Sequence, residues 1–183
     1  MGLDARVYCD CLEKGLLRKP LPSGATVKAH DDGYPMVMLN GKKINEDHPD
    51  FGAFACVHEH RWLTSHRLGN VSLVGLLRAE LSRHATMFPL ILGKVVYSGS
   101  HGGDWIGPRD IPALKIELER LREFKCVGNV PIALLPRLFW QRLHIGRHHY
   151  TSAAEADRFM VEFRQSLTQL ADAALSVGKP IVF

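Results

Sequence analysis

The sequence predicts an α+β fold, with a mixed or antiparallel sheet packed against about three main helices in a single globular domain over residues 1–183. Two observations predict this class. The predicted strands and helices do not alternate strictly, as they would around a parallel sheet, and two turn sequences separate short β-prone runs. The length of 183 residues suits one domain with its own core, since domains commonly contain about 100–200 residues.

Composition and hydropathy exclude several classes of protein. With 46% hydrophobic and 23% charged residues, the chain resembles an average globular domain and not a collagen-like or disordered one. No apolar run approaches the roughly 18–20 residues of a membrane-spanning helix. The first residues also lack the apolar core of a signal peptide. We therefore expect a cytoplasmic protein with reduced cysteines and no membrane partner.

The first third of the chain is predicted to be mostly β-structure. The predicted strands are residues 5–11, 25–29, 34–39 and 53–58. The first of these alternates between apolar and polar residues, as a half-buried strand does. An Asp-Gly sequence between the second and third is typical of a β-hairpin, and Asn40-Gly41 predicts a further turn.

Two helices are predicted in the middle of the chain. Asn70 suits the N-cap of the first, which has an apolar stripe and fades near His84. Asp110 is expected to cap the second, which runs to about Phe124 and tolerates Pro112 in its first turn.

The last helix has the strongest sequence signal. Ser152 and Glu155 form a capping box at its start, and Gly178 marks its end. Its apolar stripe consists of Ala156, Phe159, Phe163, Leu167, Leu170 and Ala174. A short terminal strand is expected over residues 180–183, and another buried strand over residues 94–97.

A basic segment, residues 124–154, carries the whole positive excess of a chain whose net charge is +4. We expect a helix that ends near His144 and a turn at Gly146, which would group Arg142, Arg147 and His148 on one exposed surface. Such a surface suits an acidic partner or a nucleic acid. The simpler interpretation is that these cations are merely solvated.

A glycine-rich loop after the predicted 94–97 strand is a second candidate binding site. It contains Ser100, His101, Asp104 and Trp105. Glycines allow a backbone to approach a ligand closely, so we predict that these four residues bind a partner. In the alternative interpretation, His101 and Asp104 are the catalytic residues of a hydrolase, although sequence neighbours rarely reach the geometry of a triad. The simplest reading is a structural loop.

Cys56, His58 and His60 alternate along the predicted 53–58 strand and the residues after it, so their side chains would share one face. Thiolate and imidazole are ligands that zinc prefers. A zinc site here is the alternative to hydrogen-bonding histidines and no cofactor. The ligand set would be completed by His66, His101 or Cys9. Cys9 and Cys11 are expected to be mainly ordinary buried thiols.

Several segments together resemble a group of small bacterial proteins, some of which are similar to immunity proteins of polymorphic-toxin systems. These segments are an early Tyr-Cys-Asp-Cys, Cys56-x-His58, Leu68-Gly-Asn70, the block Lys-Val-Val-Tyr-Ser-Gly-Ser-His-x-Gly-Asp over 94–104, and the Gly-x-Pro-Ile-Val terminus. The resemblance implies a non-enzymatic protein that binds and neutralises a cognate toxin. Because this chain is basic, such a toxin would have an acidic contact surface or would not be a nuclease.

Three functions therefore remain open from the sequence. The leading prediction is a bacterial partner-binding protein of the immunity type. The alternatives are a hydrolase that uses His101 and Asp104, with or without zinc at Cys56, His58 and His60, and a nucleic-acid-binding protein that uses the basic segment. We also predict that His101 and Asp104 lie close to residues 56–60, because both segments follow apolar strand-like runs.

Overall fold

The computed structural model describes residues 2–30, 33–44, 56–96, 104–124 and 153–183, which form an α+β fold with two antiparallel sheets. The strands are β1 (Gly2–Tyr8), β2 (Ala25–Ala29), β3 (Pro35–Leu39), β4 (Lys42–Lys43), β5 (Trp62–Asn70), β6 (Trp105–Ile106) and β7 (Ile181–Val182). The larger sheet has the strand order β5-β1-β7-β6, and the smaller has the order β2-β3-β4. The predicted fold class is confirmed.

The three predicted helices are present as α1 (Val71–Ser82), α2 (Ile111–Glu123) and α3 (Ala153–Val177). Asn70 caps α1, where its side-chain oxygen accepts a hydrogen bond of 2.9 Å from the Leu73 N–H. Asp110 occupies the N-cap position of α2, but its side chain forms no capping hydrogen bond there. Gly178 ends α3 with a φ of 66°, in the left-handed conformation that glycine adopts without strain.

The main core lies between the larger sheet and the helices. Helix α3 contacts both β5 and α2, and five of the six residues of its predicted stripe are buried: Phe159, Phe163, Leu167, Leu170 and Ala174. The side chain of Ala156 lies outside the part that the structure describes. The helical period predicted this buried face correctly, because a long amphipathic helix can bury only one stripe.

The prediction of a strand over residues 94–97 is wrong for residues 94–96, which the structure describes. Residues Ile91–Val95 form a single π-helical turn. The buried carboxylate of Glu117 accepts hydrogen bonds from the N–H groups of Leu90 (2.8 Å) and Ile91 (2.9 Å). Glu117 therefore satisfies donors that the start of a helix leaves unpaired, and this contact overrides the β propensity of the segment.

Glu117→Ala is expected to destabilise the protein by about 2–3 kcal/mol, because two N–H groups lose their acceptor. Burial raises the pKa of Glu117 above its ordinary 4.5, although the N–H groups of Ile91 and Leu90 act against this. The folded state therefore binds more protons than the unfolded state, so stability falls as pH rises from 4.5 through the folded pKa. Denaturant unfolding across pH should show this fall in the wild type. This fall in stability should be missing in Glu117→Gln. An equal fall in both proteins would contradict the assignment of the pH dependence to Glu117.

The smaller sheet forms a separate unit, residues 12–30 and 33–44, called here the small-sheet unit. The β2–β3 pairing and the Asn40-Gly41 turn before β4 confirm the predicted hairpins. Its own core contains only three fully buried residues: Leu12, Val37 and Ile44. Two contacts join the unit to the C-terminal segment: a Glu13–Lys179 ion pair of 2.5 Å, and the packing of Gly33 against Pro180.

Candidate metal centre

Four potential metal ligands meet at one end of the larger sheet: Cys9, Cys11, Cys56 and His58. The three sulfur atoms and a histidine ring nitrogen all lie within 4.8 Å of one another. The Cys9 and Cys56 sulfurs are 3.6 Å apart, and His58 Nδ1 lies 3.3 Å from the Cys11 sulfur and 3.8 Å from the Cys56 sulfur. The three cysteines are buried free thiols, and His58 is partly exposed.

Strand pairing brings the four residues together. β1 and β5 are antiparallel neighbours, and Tyr8 at the end of β1 pairs with Trp62 at the start of β5. The two cysteines that follow β1 therefore lie beside the Cys56-x-His58 pair that precedes β5. The Cys9 N–H donates to the Arg61 carbonyl at 2.8 Å and extends this pairing to the first ligand. The site thus lies in two loops at one end of the larger sheet.

The spacing of the ligand atoms fits a tetrahedral zinc ion. Zinc–sulfur bonds of about 2.3 Å and zinc–nitrogen bonds of about 2.0–2.1 Å place tetrahedral ligands roughly 3.5–3.8 Å apart. Three of the six separations between the ligand atoms, 3.3, 3.6 and 3.8 Å, lie at or close to this range, and all six are within 4.8 Å. Coordination through Nδ1 requires the proton of a neutral His58 ring to be on Nε2. Three thiolates and one imidazole form a ligand set that is typical of structural zinc.

The surroundings of the sulfurs disfavour the charged thiolate form. Burial raises the pKa of the Cys9 thiol to about 12, although the backbone N–H of Cys11 acts in the opposite direction, and burial also raises the pKa of Cys11. Thiolates here therefore need a compensating positive charge, which a divalent metal supplies directly. The Lys14 ammonium also interacts electrostatically with Cys11, and it lies 2.6 Å from the Asp10 carboxylate. The hydrogen bond from Lys14 lowers the pKa of Asp10.

The structure changes the ligand set expected from the sequence. The four-residue cluster does not include His60, because Glu59–Arg61 is a 3₁₀ turn and not part of a strand. His60 has a φ of 50°, and its ring stacks at 4.9 Å on that of Trp62. Cys56 and His58 lie in a loop before β5, and residues 53–55 lie outside the described part. The alternating pattern named two residues of the cluster, Cys56 and His58, but assigned them to a strand where the structure has a loop.

Cys9 and Cys11 complete the four-residue cluster, and His60 is not part of it. The sequence names Cys9 among the three residues that could complete the set, whereas its pattern predicts ordinary burial for Cys9 and Cys11 together. β1 ends at Tyr8, so both cysteines lie in the loop after it. His66, another candidate, hydrogen-bonds to the Thr64 hydroxyl at 3.1 Å. The sequence pattern that indicates this cluster is a Cys-x-Cys pair after one strand together with a Cys-x-His pair before another.

The other predicted site residues are only partly within the described chain. Asp104 lies at the start of β6, where its carbonyl accepts a 2.9 Å hydrogen bond from the Phe183 N–H. Its Oδ2 atom is buried without a hydrogen-bond partner among the described residues. Trp105 is 38% exposed in β6. The residues that lie outside the described part are Ser100, His101, Arg142, Arg147 and His148, so the predicted basic surface and loop site stay predictions.

Across the described ranges, no helix is both long and apolar enough to cross a membrane. Comparison of the chain with known protein families, with curated proteins and with solved structures finds no match. The Cys₃His cluster is therefore the feature of the described residues from which a function can be argued.

Proposed function

We propose that this protein binds one zinc ion through Cys9, Cys11, Cys56 and His58. The observation that supports this proposal is the convergence of four ligand atoms within 4.8 Å, from segments 47 residues apart in the chain. Buried thiols cluster in this way at a large cost in conformational entropy, which a metal offsets. The charge of a zinc–trithiolate site is −1.

The zinc is proposed to be structural. Catalytic zinc sites keep an open position for water or substrate, whereas four protein ligands fill a tetrahedral shell. The metal would join the two ends of the excursion between Cys11 and Cys56, and this excursion contains the small-sheet unit. A closed site argues against the zinc-dependent form of the hydrolase alternative, because it offers no position at which zinc activates water.

Metal analysis and cobalt substitution test the site. Purified wild-type protein is expected to contain one zinc per chain, and its cobalt-substituted form should show the intense sulfur-to-metal absorption of tetrahedral thiolate coordination. His58→Asn and Cys56→Ser should each weaken metal binding at least tenfold in a chelator competition, since each removes a ligand.

His60→Asn is the matched control for His58→Asn. Asparagine tolerates the left-handed backbone of position 60, and His60 is not in the cluster, so this variant should keep wild-type zinc affinity. If purified protein contains no zinc and does not take up cobalt, the proposal is wrong. An equal loss of affinity in both histidine variants would also overturn the ligand assignment.

We further propose that the protein acts by binding a partner, as a bacterial immunity protein that neutralises a cognate toxin in the cytoplasm. Its support is the resemblance carried by the segments named above, together with a metal cluster that has no open coordination position. The toxin would present an acidic surface, or it would not be a nuclease, because the chain has a net charge of +4. Co-expression with the product of the adjacent gene tests this: the wild type should protect the cells and co-purify with that product, and failure of both contradicts the proposal.

A further inference from the structure

Two thiols of the Cys₃His cluster are placed to form a disulfide bond. The Cys9 and Cys56 sulfur atoms are 3.6 Å apart, and the three described cysteines are free thiols. An S–S bond is about 2.05 Å long, so these two sulfurs need to approach by only about 1.5 Å. Rotations of the two side chains in their loops supply a movement of this size. The cluster therefore contains a pair of cysteines that oxidation can join.

The third cysteine is less suited to a disulfide. The Cys11 sulfur contacts His58 Nδ1 at 3.3 Å, whereas Cys9 and Cys56 are in direct sulfur–sulfur contact. A bond between Cys9 and Cys11 would close a small ring over the single residue Asp10 and would strain the backbone there. The geometry thus favours the Cys9–Cys56 pair, and it leaves Cys11 and His58 outside the bond.

One member of the pair lies nearer to solvent. Cys56 precedes Val57, which is 83% exposed, and the partly exposed His58 in the loop before β5. Cys9 instead continues the pairing of β1, because its N–H donates to the Arg61 carbonyl at 2.8 Å. A small oxidant that arrives from solvent therefore meets Cys56 first. Zinc holds its cysteine ligands as thiolates, and the thiolate is the form of cysteine that attacks an oxidant.

We propose that the Cys₃His cluster is a redox switch, in which a peroxide oxidises Cys9 and Cys56 to a disulfide and thereby releases the zinc. This inference rests on the zinc site proposed above. The Cys56 thiolate attacks one oxygen of hydrogen peroxide, the O–O bond breaks, and hydroxide leaves, so that Cys56 becomes a sulfenic acid. The Cys9 thiolate then attacks the Cys56 sulfur, the S–S bond forms, the S–O bond breaks, and a second hydroxide leaves.

The two steps balance and remove half of the ligand set. The two sulfurs lose two electrons, the peroxide gains them, and two protons from solvent convert the two hydroxides to water. A disulfide sulfur carries no charge and replaces neither thiolate as a ligand. Only Cys11 and His58 then remain of the four protein ligands, and two ligands do not make a structural zinc site.

The loss of zinc acts on the entry to the small-sheet unit. Cys11 directly precedes this unit, whose core contains Leu12, and the Leu16 N–H donates to the Cys11 carbonyl at 2.8 Å. Zinc fixes this entry through the Cys11 sulfur. The disulfide keeps Cys9 and Cys56 together, so oxidation frees the chain from Cys11 onward and leaves the pairing of β1 with β5 intact. Oxidation therefore loosens the small-sheet unit and not the larger sheet.

The test is a titration of the zinc-loaded full chain with hydrogen peroxide. One equivalent of peroxide should release about one zinc per chain, measured with a chromogenic chelator, and peptide mapping by mass spectrometry should identify a Cys9–Cys56 disulfide. Dithiothreitol with added zinc should restore the metal content. Amide hydrogen exchange in β2 and β3 should be faster in the oxidised protein than in the zinc-loaded protein, with β1 and β5 unchanged.

Cys126→Ser is the matched control, because it removes the fourth cysteine of the chain, which lies outside the described part. This variant should release zinc and form the same disulfide as the wild type. A disulfide that includes Cys11 or Cys126 would overturn the assignment of the pair. Oxidation to a sulfinic acid, which dithiothreitol does not reverse, would overturn the switch.

The outcomes also separate this inference from the zinc site itself. If the protein binds zinc and keeps it in a large excess of peroxide, the switch is wrong and the zinc site stands. If the purified protein neither contains zinc nor takes up cobalt, both proposals are wrong, whichever disulfide forms.

Discussion

Removal of zinc is expected to release the small-sheet unit while the larger sheet stays folded. Three fully buried residues form too small a core to hold this unit alone, whereas the larger sheet shares the main core with three helices. Pairing of β1 with β5 already closes the excursion between Cys11 and Cys56, so zinc acts by fixing the two loops through which the chain enters and leaves this unit. Amide hydrogen exchange of the chelator-treated wild type should therefore be at least about tenfold faster in β2 and β3.

The same experiment on Cys56→Ser checks that the effect depends on the ligand and not on the chelator. This variant should exchange rapidly in β2 and β3 with zinc present, whereas His60→Asn should match the zinc-loaded wild type. Protection in β1, β5 and α3 should be retained in all proteins, because their side chains belong to the main core. Loss of protection throughout the chain, or unchanged exchange in β2 and β3, would show that zinc does not act locally on this unit.

Phe163→Ala is expected to lower the free energy of unfolding by about 3–5 kcal/mol. The Phe163 side chain is 1% exposed and lies in the middle of α3, where its ring centroid is 5.9 Å from that of Phe159. Its removal leaves a cavity in the main core that rigid neighbouring elements fill only in part. Denaturant unfolding of the zinc-loaded protein, followed by far-ultraviolet circular dichroism, measures the loss.

Val161→Ala is the matched control for Phe163→Ala. Val161 lies two residues away on the same helix but is 54% exposed, so its truncation should change stability by less than about 0.5 kcal/mol. A loss below about 1 kcal/mol in Phe163→Ala, or equal losses in the two variants, would mean that the buried face of α3 is assigned wrongly.

The helices and hairpins were predictable because their signals are local. The side chain of Asn70 caps α1 three residues away, and Gly178 supplies the positive φ that ends α3. Asn40-Gly41 likewise favours a tight turn through its own backbone preferences, with φ angles of 51° and 77°. In each case the interaction that determines the structure is contained in a few consecutive residues.

The segment from Ile91 to Val95 was not predictable in this way. Its β-prone composition favours a strand, yet Glu117, 26 residues further on, accepts the Ile91 N–H and holds the segment in a helical turn. A buried carboxylate that accepts two backbone donors outweighs propensity differences of about 1 kcal/mol. Only the packing of α2 against this segment places Glu117 where it accepts these hydrogen bonds.

The sequence by itself determined the α+β class, the three helices and the buried face of α3, and it pointed to Cys56 and His58 of the Cys₃His cluster, since caps, turns and helical periodicity act over a few residues. The tertiary structure decided which ligands meet. Cys9 and Cys11 join Cys56 and His58 because β1 pairs with β5 in a register that places Tyr8 opposite Trp62. That register depends on hydrogen bonds and side-chain packing between distant segments, and local sequence patterns do not specify it.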